Sequence, residues 1–299
     1  MNESNIRNAF REEEMSFDDY WVFSERDTRK EAVKRTVSIK FKSITKQDRF
    51  FIPVMLYEPE NTNRNILLYF HGGGWVRGSI ESHDCVCRKI ANALNVKVLS
   101  VEYRLAPQYK FPIALHDVLS VYCGLLDKRN MDFDEIILSG DSAGGNLCAA
   151  LCMKLKEAQF SQYPMAQILF YPVLSNDFDS PSFTKFGHEP SLTKSMMLKF
   201  IDMYTKKDPA DDVFVNNKFL YPVLEKDMSL FPKTLIVSAE KDVLLDGQFL
   251  FASKLNQAHV DVHHLVIEEA KHGFMTYGEK HWEYASIALD KIKKLGYVL

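Results

Sequence analysis

The sequence has few cysteines and none of the cysteine spacings that build a disulfide framework or a zinc site. The five cysteines are an odd number and contain no CxxC pair: Cys85, Cys87, Cys123, Cys148 and Cys152. Cys148 and Cys152 lie four residues apart on a predicted helix, where two thiols can contribute to a metal site. Core packing is the favoured interpretation, and we expect all five to be reduced, small apolar side chains. The sequence therefore predicts no metal site.

Long hydrophobic runs and an excess of charge of one sign are also absent. No apolar run approaches the roughly 18 residues that span a bilayer, and residues 1–23 are too charged for the apolar region of a signal peptide. We therefore expect a cytoplasmic protein with no membrane partner. The 37 Lys and Arg residues are scattered among 40 Asp and Glu residues. No basic stripe can neutralise phosphates, which argues against a nucleic-acid partner.

What is present is the composition of a globular domain. The chain has 299 residues, of which 46% are hydrophobic and 26% charged, so it can bury a large core, and intrinsic disorder and coiled coil are disfavoured. At roughly 150 residues per domain, the length allows two domains or one α/β domain with an insertion.

Short apolar runs alternate with helical patterns along most of the chain. Residues 36–42 and 50–57 are predicted to form an antiparallel hairpin around a polar KQD turn. Six further runs are typical of strands buried on both faces: 66–70, 96–101, 135–139, 166–171, 234–239 and 262–267. Helical patterns occupy 82–94, 113–128, 144–158, 244–258 and 281–295. This alternation predicts an α/β fold with a mainly parallel eight-stranded sheet and helices on both faces.

The alternation fails in two places, which we interpret as a helical cap. Residues 1–35 form an amphipathic helical stretch, and 175–228 form a long insertion that contains the run LTKSMMLKFIDMY. The catalytic domain is then 36–174 plus 229–299. The cap carries many large apolar side chains, which either line an apolar pocket or pack against the sheet: Met15, Phe17, Tyr20, Trp21, Phe23, Phe178, Phe183, Phe186, Met196, Met197, Phe200 and Tyr204.

A G-x-S-x-G motif lies where strand 135–139 ends and a helix begins. Its residues are Gly140, Asp141, Ser142, Ala143 and Gly144. In this context the motif predicts a nucleophile elbow, a strained turn that lifts the serine hydroxyl above the sheet. The flanking glycines are needed because the neighbouring backbone comes too close for side chains.

A run of glycines directly follows strand 66–70. The glycines are Gly72, Gly73 and Gly74, and His71 precedes them. A flexible loop or a phosphate-binding loop is an alternative, but neither G-x-G-x-x-G nor G-K-[ST] is present here. Together with the downstream serine, the run predicts an oxyanion hole, whose backbone N–H groups donate to charge that develops on an acyl carbonyl.

A serine nucleophile needs a general base and a carboxylate that orients it. Asp242 follows strand 234–239 and His272 follows strand 262–267, so both are expected at the sheet edge that carries Ser142. Glu240 and Asp246 remain alternative orienting carboxylates. Four other histidines are weaker candidates for the base: His263 and His264 lie inside a predicted strand, and His259 and His281 on predicted helix surfaces.

Five motifs occur together in a defined order. They are HGGGW at 71–75, YRLAPQYKFP at 103–112 with Asp117 beyond it, GDSAGGN at 140–146, SAEKDVLLDG at 238–247 and KHGF at 271–274. This set resembles the hormone-sensitive-lipase-like family of α/β-hydrolases. The resemblance implies the α/β-hydrolase fold, a catalytic triad and an oxyanion hole. The residues it implies are Ser142, Asp242 and His272 for the triad, and the backbone of Gly73, Gly74 and Ala143 for the oxyanion hole.

The resemblance also implies a structural ion pair between Arg104 and Asp117. Gln108 stands where the family usually has glutamate, a difference that concerns scaffold hydrogen bonds and not the reaction. The implied activity is hydrolysis of small-molecule carboxylic esters with short to medium acyl groups, through an acyl-enzyme and without any cofactor.

Three other functions stay open on this sequence. Amidases, aryl-formamidases and thioesterases use the same triad on the same scaffold. Plant gibberellin receptors resemble the family as binding modules that lack the catalytic histidine, whereas this chain has His272. A degenerate hydrolase that acts as an interaction protein is the third. The sequence specifies neither the physiological ester nor the oligomeric state, for which a homodimer is one option.

Overall fold

The computed structural model describes residues 22–23, 33–42, 49–126, 132–205, 212–278 and 280–298. Its centre is a nine-stranded sheet with the order β1-β2-β3-β5-β4-β6-β7-β8-β9. The strands are β1 (Val22–Phe23), β2 (Val33–Lys42), β3 (Arg49–Glu58), β4 (Ile66–Phe70), β5 (Lys97–Val101), β6 (Ile136–Asp141), β7 (Ala166–Phe170), β8 (Lys233–Lys241) and β9 (Val262–Lys271). The six strands from β5 to β9 in this order are parallel, whereas β1, β2 and β3 pair antiparallel.

The predicted α/β fold is confirmed, but the prediction of eight strands is wrong by one. The additional strand β1 pairs with the outer edge of β2, with Val22 opposite Ser38 and Phe23 opposite Val37. A strand of two residues is too short to show an alternating pattern, so it could not be predicted from the sequence. Strand β2 also begins at Val33, so part of the stretch 1–35 that was predicted to be helical is extended. Residues 1–21, 24–32 and the KQD turn at 46–48 lie outside the described residues.

Eight helices accompany the sheet in the described parts of the chain. They are α1 (Asp84–Leu94), α2 (Ile113–Leu126), α3 (Ala143–Glu157), α4 (Pro181–Phe186), α5 (Lys194–Tyr204), α6 (Asp212–Val215), α7 (Leu245–Gln257) and α8 (His281–Leu295). The five helices predicted outside the cap agree with α1, α2, α3, α7 and α8 to within a residue or two at each end. None of the helices in the described ranges is long and apolar enough to cross a bilayer.

Successive side chains of a strand point to opposite sides of the sheet, so the central parallel strands contribute to two separate cores. In β4, Ile66, Leu68 and Phe70 pack into one core with side chains of α2, α3 and α7. Leu67 and Tyr69 pack into a second core with side chains of α1 and α8. Every residue of β4 is buried, which is the physical reason for its continuous apolar run.

The insertion 175–228 lies between β7 and β8 and contains α4, α5 and α6. The hydroxyl of Thr193 caps α5 by accepting a hydrogen bond from the Met196 N–H at 3.0 Å. Phe183, Met197 and Tyr204 are buried in the core, as the packing alternative predicted. Phe178, Phe186, Met196 and Phe200 are only partly buried against it. The division into catalytic domain and cap stays a prediction, since Met15, Phe17, Tyr20 and Trp21 lie outside the described residues and Phe23 lies in β1.

Candidate active site

Ser142 occupies the turn between β6 and α3 and has a positive φ of 53°. A residue with a side chain is strained in this region, and the buried strand and helix on either side hold it there. The turn also needs Gly144, because a Cβ at that position would overlap the carbonyl oxygen of Phe70 at the end of β4. The predicted elbow geometry is therefore present at the carboxyl edge of the parallel strands.

Ser142, His272 and Asp242 form a line of hydrogen-bonded side chains. The His272 Nε2 is 2.9 Å from the Ser142 Oγ, and its Nδ1 is 2.7 Å from the Asp242 Oδ2. Asp242 directly follows β8 and His272 directly follows β9. An ionised carboxylate only accepts hydrogen bonds, so Nδ1 carries a proton and Nε2 presents a lone pair to the serine hydroxyl. This arrangement can remove the proton of Ser142.

The two alternative carboxylates engage other groups. The Asp246 Oδ2 accepts a hydrogen bond from the Ser182 N–H at 2.6 Å, in the first turn of α4. The Glu240 Oε2 accepts one from the Glu269 N–H at 2.7 Å, within β9. Both carboxylates thus stabilise backbone groups, and of the three candidates the structure brings only Asp242 to His272.

The four other candidate histidines make no contact with Ser142 in the part of the chain that the structure describes. His263 and His264 are in β9, as predicted, and contact the Tyr297 hydroxyl at 2.9 Å and the Ser238 Oγ at 2.6 Å. Burial lowers the pKa of His264 to about 4. His281 is the first residue of α8. The prediction for His259 is wrong in detail, because it lies in an exposed turn past the end of α7 and not on the helix.

The glycine run forms a loop after β4, which we call the oxyanion loop, residues 71–74. Gly73 and Gly74 have φ values of 119° and 64°. The N–H groups of both make no hydrogen bond to any residue that the structure describes. Ala143 is the first residue of α3, where a backbone N–H has no partner within the helix. Three backbone donors are thus available beside the elbow.

Asp141 ties the oxyanion loop to the elbow. Its Oδ1 accepts hydrogen bonds from the Gly72 N–H and from the Tyr69 hydroxyl, each at 2.8 Å. The approach is so close that a Cβ on Gly72 would overlap the Asp141 carboxylate. The Tyr103 hydroxyl donates to the His71 carbonyl at 2.7 Å, and their rings stack with centroids 4.2 Å apart. Sequence reasoning assigned Asp141 only to the motif and missed Tyr69 and Tyr103 as supports of the loop.

The insertion contacts both sides of the site. The Phe200 ring of α5 lies so close to the Gly74 Cα that a Cβ there would overlap it, and the Arg77 guanidinium lies 5.3 Å from the ring centroid. On the other side, Tyr277, which lies five residues beyond His272 in the sequence, donates its hydroxyl proton to the Ser191 carbonyl of the insertion at 3.3 Å. The Phe200 ring of the insertion therefore limits the space beside Gly74.

The ion pair implied between Arg104 and Asp117 is present and buried. The Arg104 Nη2 is 2.6 Å from the Asp117 Oδ1, and its Nε is 2.9 Å from Oδ2. Two parallel hydrogen bonds of this kind fix the geometry of both side chains. Gln108 is exposed in the turn that follows Arg104.

Comparison with known proteins gives a consistent set of similarities. A sequence profile of the α/β-hydrolase fold matches residues 67–276. The ethyl acetate hydrolase of Pseudomonas putida is 34% identical, over 79% of this chain and 75% of that protein. Arylacetamide deacetylase of Bos taurus is 32% identical, over 76% and 73%. The structure of a hyperthermophilic esterase from the archaeon Pyrobaculum calidifontis is 30% identical, with a TM-score of 0.77 over 88% of this chain and 86% of that one.

Proposed function

Because this chain belongs to the α/β-hydrolase fold family, in which it is a carboxylic ester hydrolase of the hormone-sensitive-lipase-like kind, we propose that Ser142, His272 and Asp242 are its catalytic triad. The observation that carries this proposal is the pair of hydrogen bonds that His272 makes, 2.9 Å to the Ser142 Oγ and 2.7 Å to the Asp242 Oδ2.

The mechanism is a two-step acyl transfer. The Ser142 Oγ bonds to the ester carbonyl carbon while its proton moves to the His272 Nε2. The carbonyl oxygen becomes an oxyanion that accepts hydrogen bonds from the N–H groups of Gly73, Gly74 and Ala143. The carbon–oxygen bond to the alcohol then breaks as His272 returns the proton to the leaving oxygen.

Water repeats these steps on the acyl-enzyme and releases the acid. Asp242 stays ionised, holds the proton on Nδ1 of His272 and stabilises the imidazolium. The chemistry uses fixed dipoles and side chains of the chain itself, and so needs no metal and no organic cofactor.

The substrates are esters with short to medium acyl chains. The Phe200 ring lies against Gly74, so space near the acyl carbonyl is limited on the side of α5. The similarity to an ethyl acetate hydrolase points the same way. A small-molecule ester as partner, a cytoplasmic location, a homodimer, and the lack of nucleic-acid and membrane partners stay predictions.

The test of the nucleophile is the variant Ser142→Ala beside the control Ser253→Ala, which removes an exposed serine on α7. We expect Ser142→Ala to lose several orders of magnitude in kcat with little change in stability, and Ser253→Ala to keep wild-type kcat. A fluorescent organophosphonate, followed by peptide mass spectrometry, should label Ser142. Labelling of another residue, or full turnover in Ser142→Ala, overturns the assignment.

A second candidate activity is hydrolysis of aryl amides. It is favoured by the similarity to an arylacetamide deacetylase and uses the same triad. The matched pair 4-nitrophenyl acetate and 4-nitroacetanilide, which differ only in the leaving group, separates the two. We expect the ester to be far the better substrate by kcat/KM, and a reversed preference would make amide hydrolysis the main activity.

A further inference from the structure

A histidine outside the recognised motifs lies behind the oxyanion loop. His83 ends the 3₁₀ turn Glu81–His83, is 6% exposed, and has its Nε2 3.3 Å from the Asp141 Oδ1. That oxygen is the one that accepts from the Gly72 N–H. His83 therefore contacts the carboxylate that joins the oxyanion loop to the elbow.

His83 has one polar neighbour at each ring nitrogen. The Ser82 Oγ, which donates to the Ser79 carbonyl and accepts from the Ser79 N–H, each at 2.9 Å, lies 2.9 Å from the His83 Nδ1. The His83 Nε2 lies 3.3 Å from the Asp141 carboxylate, which can only accept. A protonated His83 donates to both of these neighbours at once.

The charged and titratable groups around His83 agree with this state. Burial opposes its charge, but the negative charge of Asp141 and the hydrogen bond to it, with a smaller effect of Glu102, raise the pKa of His83 above its usual value. Burial likewise opposes ionisation of Asp141, and His83 together with the Tyr69 hydroxyl outweighs it, so the pKa of Asp141 is lowered. Burial raises the pKa of Glu102 and that of Tyr69. Burial lowers the pKa of the neighbouring His71 to about 4, which leaves it neutral.

We propose that protonated His83 is a positioning residue for catalysis, which keeps Asp141 ionised and in place and thereby sets the oxyanion loop against the nucleophile elbow. The proposal rests on the proposed roles of Ser142 and the loop. Asp141 is covalently next to Ser142, and its negative charge would oppose a second negative charge on the reacting oxygen. The cation of His83 offsets that charge while leaving the acceptor that the Gly72 N–H needs.

The variant His83→Gln keeps a side-chain N–H donor but removes the positive charge. We expect kcat for 4-nitrophenyl acetate to fall about ten- to a hundredfold, less than for deletion of an oxyanion donor, with KM close to that of the wild type. In the wild type, kcat should fall at alkaline pH as His83 loses its proton. This alkaline decrease should be absent in His83→Gln. The matched control is His259→Gln, which changes an exposed histidine past α7.

Titration with the organophosphonate gives the number of reactive serines in each preparation, which separates this proposal from the proposed function. Failure of the wild type to react would overturn the triad assignment. Full titration of His83→Gln with wild-type kcat and an unchanged alkaline limb would overturn the role of His83. Wild-type kcat per titrated site in His83→Gln would overturn it as well, because the loss would then come only from unfolded protein.

A measurement on the wild type covers the case in which His83→Gln does not fold. Spectra of protein with ¹⁵N-labelled imidazoles resolve the nine histidines. We expect the His83 ring to keep protons on both nitrogens to a higher pH than an ordinary histidine, because its pKa is raised. A His83 ring that loses its proton at the pH of an ordinary histidine, or below it, overturns the proposal.

Discussion

Replacing Asp242 by asparagine removes one charge and should leave the shape of the site intact. Asp242 uses both carboxylate oxygens: Oδ2 accepts from the His272 Nδ1 at 2.7 Å, and Oδ1 accepts from the Leu244 N–H at 3.0 Å. In Asp242→Asn, the amide oxygen must face the Leu244 N–H, because an NH₂ group there would leave a buried donor without an acceptor. The NH₂ group then faces His272.

This orientation forces His272 into the wrong tautomer. Its Nδ1 must accept a hydrogen bond from the new NH₂ group, so the ring proton moves to Nε2, which can no longer take the proton of Ser142. A triad with this defect loses about 10⁴ in kcat, equivalent to about 5 kcal/mol of transition-state stabilisation. We expect a loss of this size for Asp242→Asn, with an unchanged KM for 4-nitrophenyl acetate.

The matched control is Asp246→Asn, four residues along the chain. Asp246 accepts a hydrogen bond from the Ser182 N–H, a role that an amide oxygen can also fill, so kcat should stay close to the wild-type value. Steady-state kinetics should be measured on both variants beside thermal unfolding. A large loss in Asp246→Asn with activity retained in Asp242→Asn would move the orienting role to Asp246. Activity retained in both would point to Glu240 or to a Ser–His dyad.

The remaining predictions concern stability and specificity. Asp117→Asn removes the carboxylate that pairs with the buried Arg104 guanidinium and should cost about 3–5 kcal/mol of unfolding free energy, while kcat per titrated site is unchanged. A cost near zero would contradict the structural role. Wild-type kcat/KM should rise from acetyl to hexanoyl aryl esters and then fall, because each methylene that fits adds about 0.8 kcal/mol of transition-state binding. Phe200→Ala should move that limit to longer chains, and an unchanged limit would remove Phe200 from the acyl pocket. Because the pKa of His83 is raised on folding, its contribution to stability is complete below the unfolded pKa and is lost as the pH rises through the folded pKa. The unfolding free energy of His83→Gln should therefore decrease less than that of the wild type as the pH rises through this range.

The parallel part of the fold was predictable because burial on both faces leaves a local signal. Continuous apolar runs such as 66–70 and 166–171 correspond to β4 and β7, and the intervening helices have a regular apolar period. The two-residue strand β1 was not predictable, since it is defined by its pairing with β2 and not by its own pattern. Strand β9 continues to Lys271, beyond the predicted end at 267. Its last four residues are mostly exposed and polar, so they do not extend the apolar run from which the strand was predicted.

The candidate site divides in the same way. The elbow and the oxyanion loop were predictable because backbone geometry restricts their sequences to glycine at fixed positions. The choice between Asp242 and Asp246 was not predictable. It depends on the hydrogen bond that Asp246 accepts from the Ser182 N–H of the insertion, a contact between residues far apart in sequence. His83 gave no signal at all. Its role depends on the distance to Asp141, which only the folded sheet brings within 3.3 Å.

The oxyanion loop shows why such long-range contacts matter for rate. Three successive glycines are the most flexible sequence available, yet an oxyanion hole stabilises a transition state only if its donors are already in position. The loop is therefore ordered from outside: Asp141 holds the Gly72 N–H, Trp75 stacks on Tyr204 of α5 with centroids 4.6 Å apart, and Phe200 covers Gly74. Because these contacts involve no substrate group, loosening any one of them should lower kcat with little effect on KM. That pattern distinguishes a loop held in position by its surroundings from one that the substrate itself orders on binding.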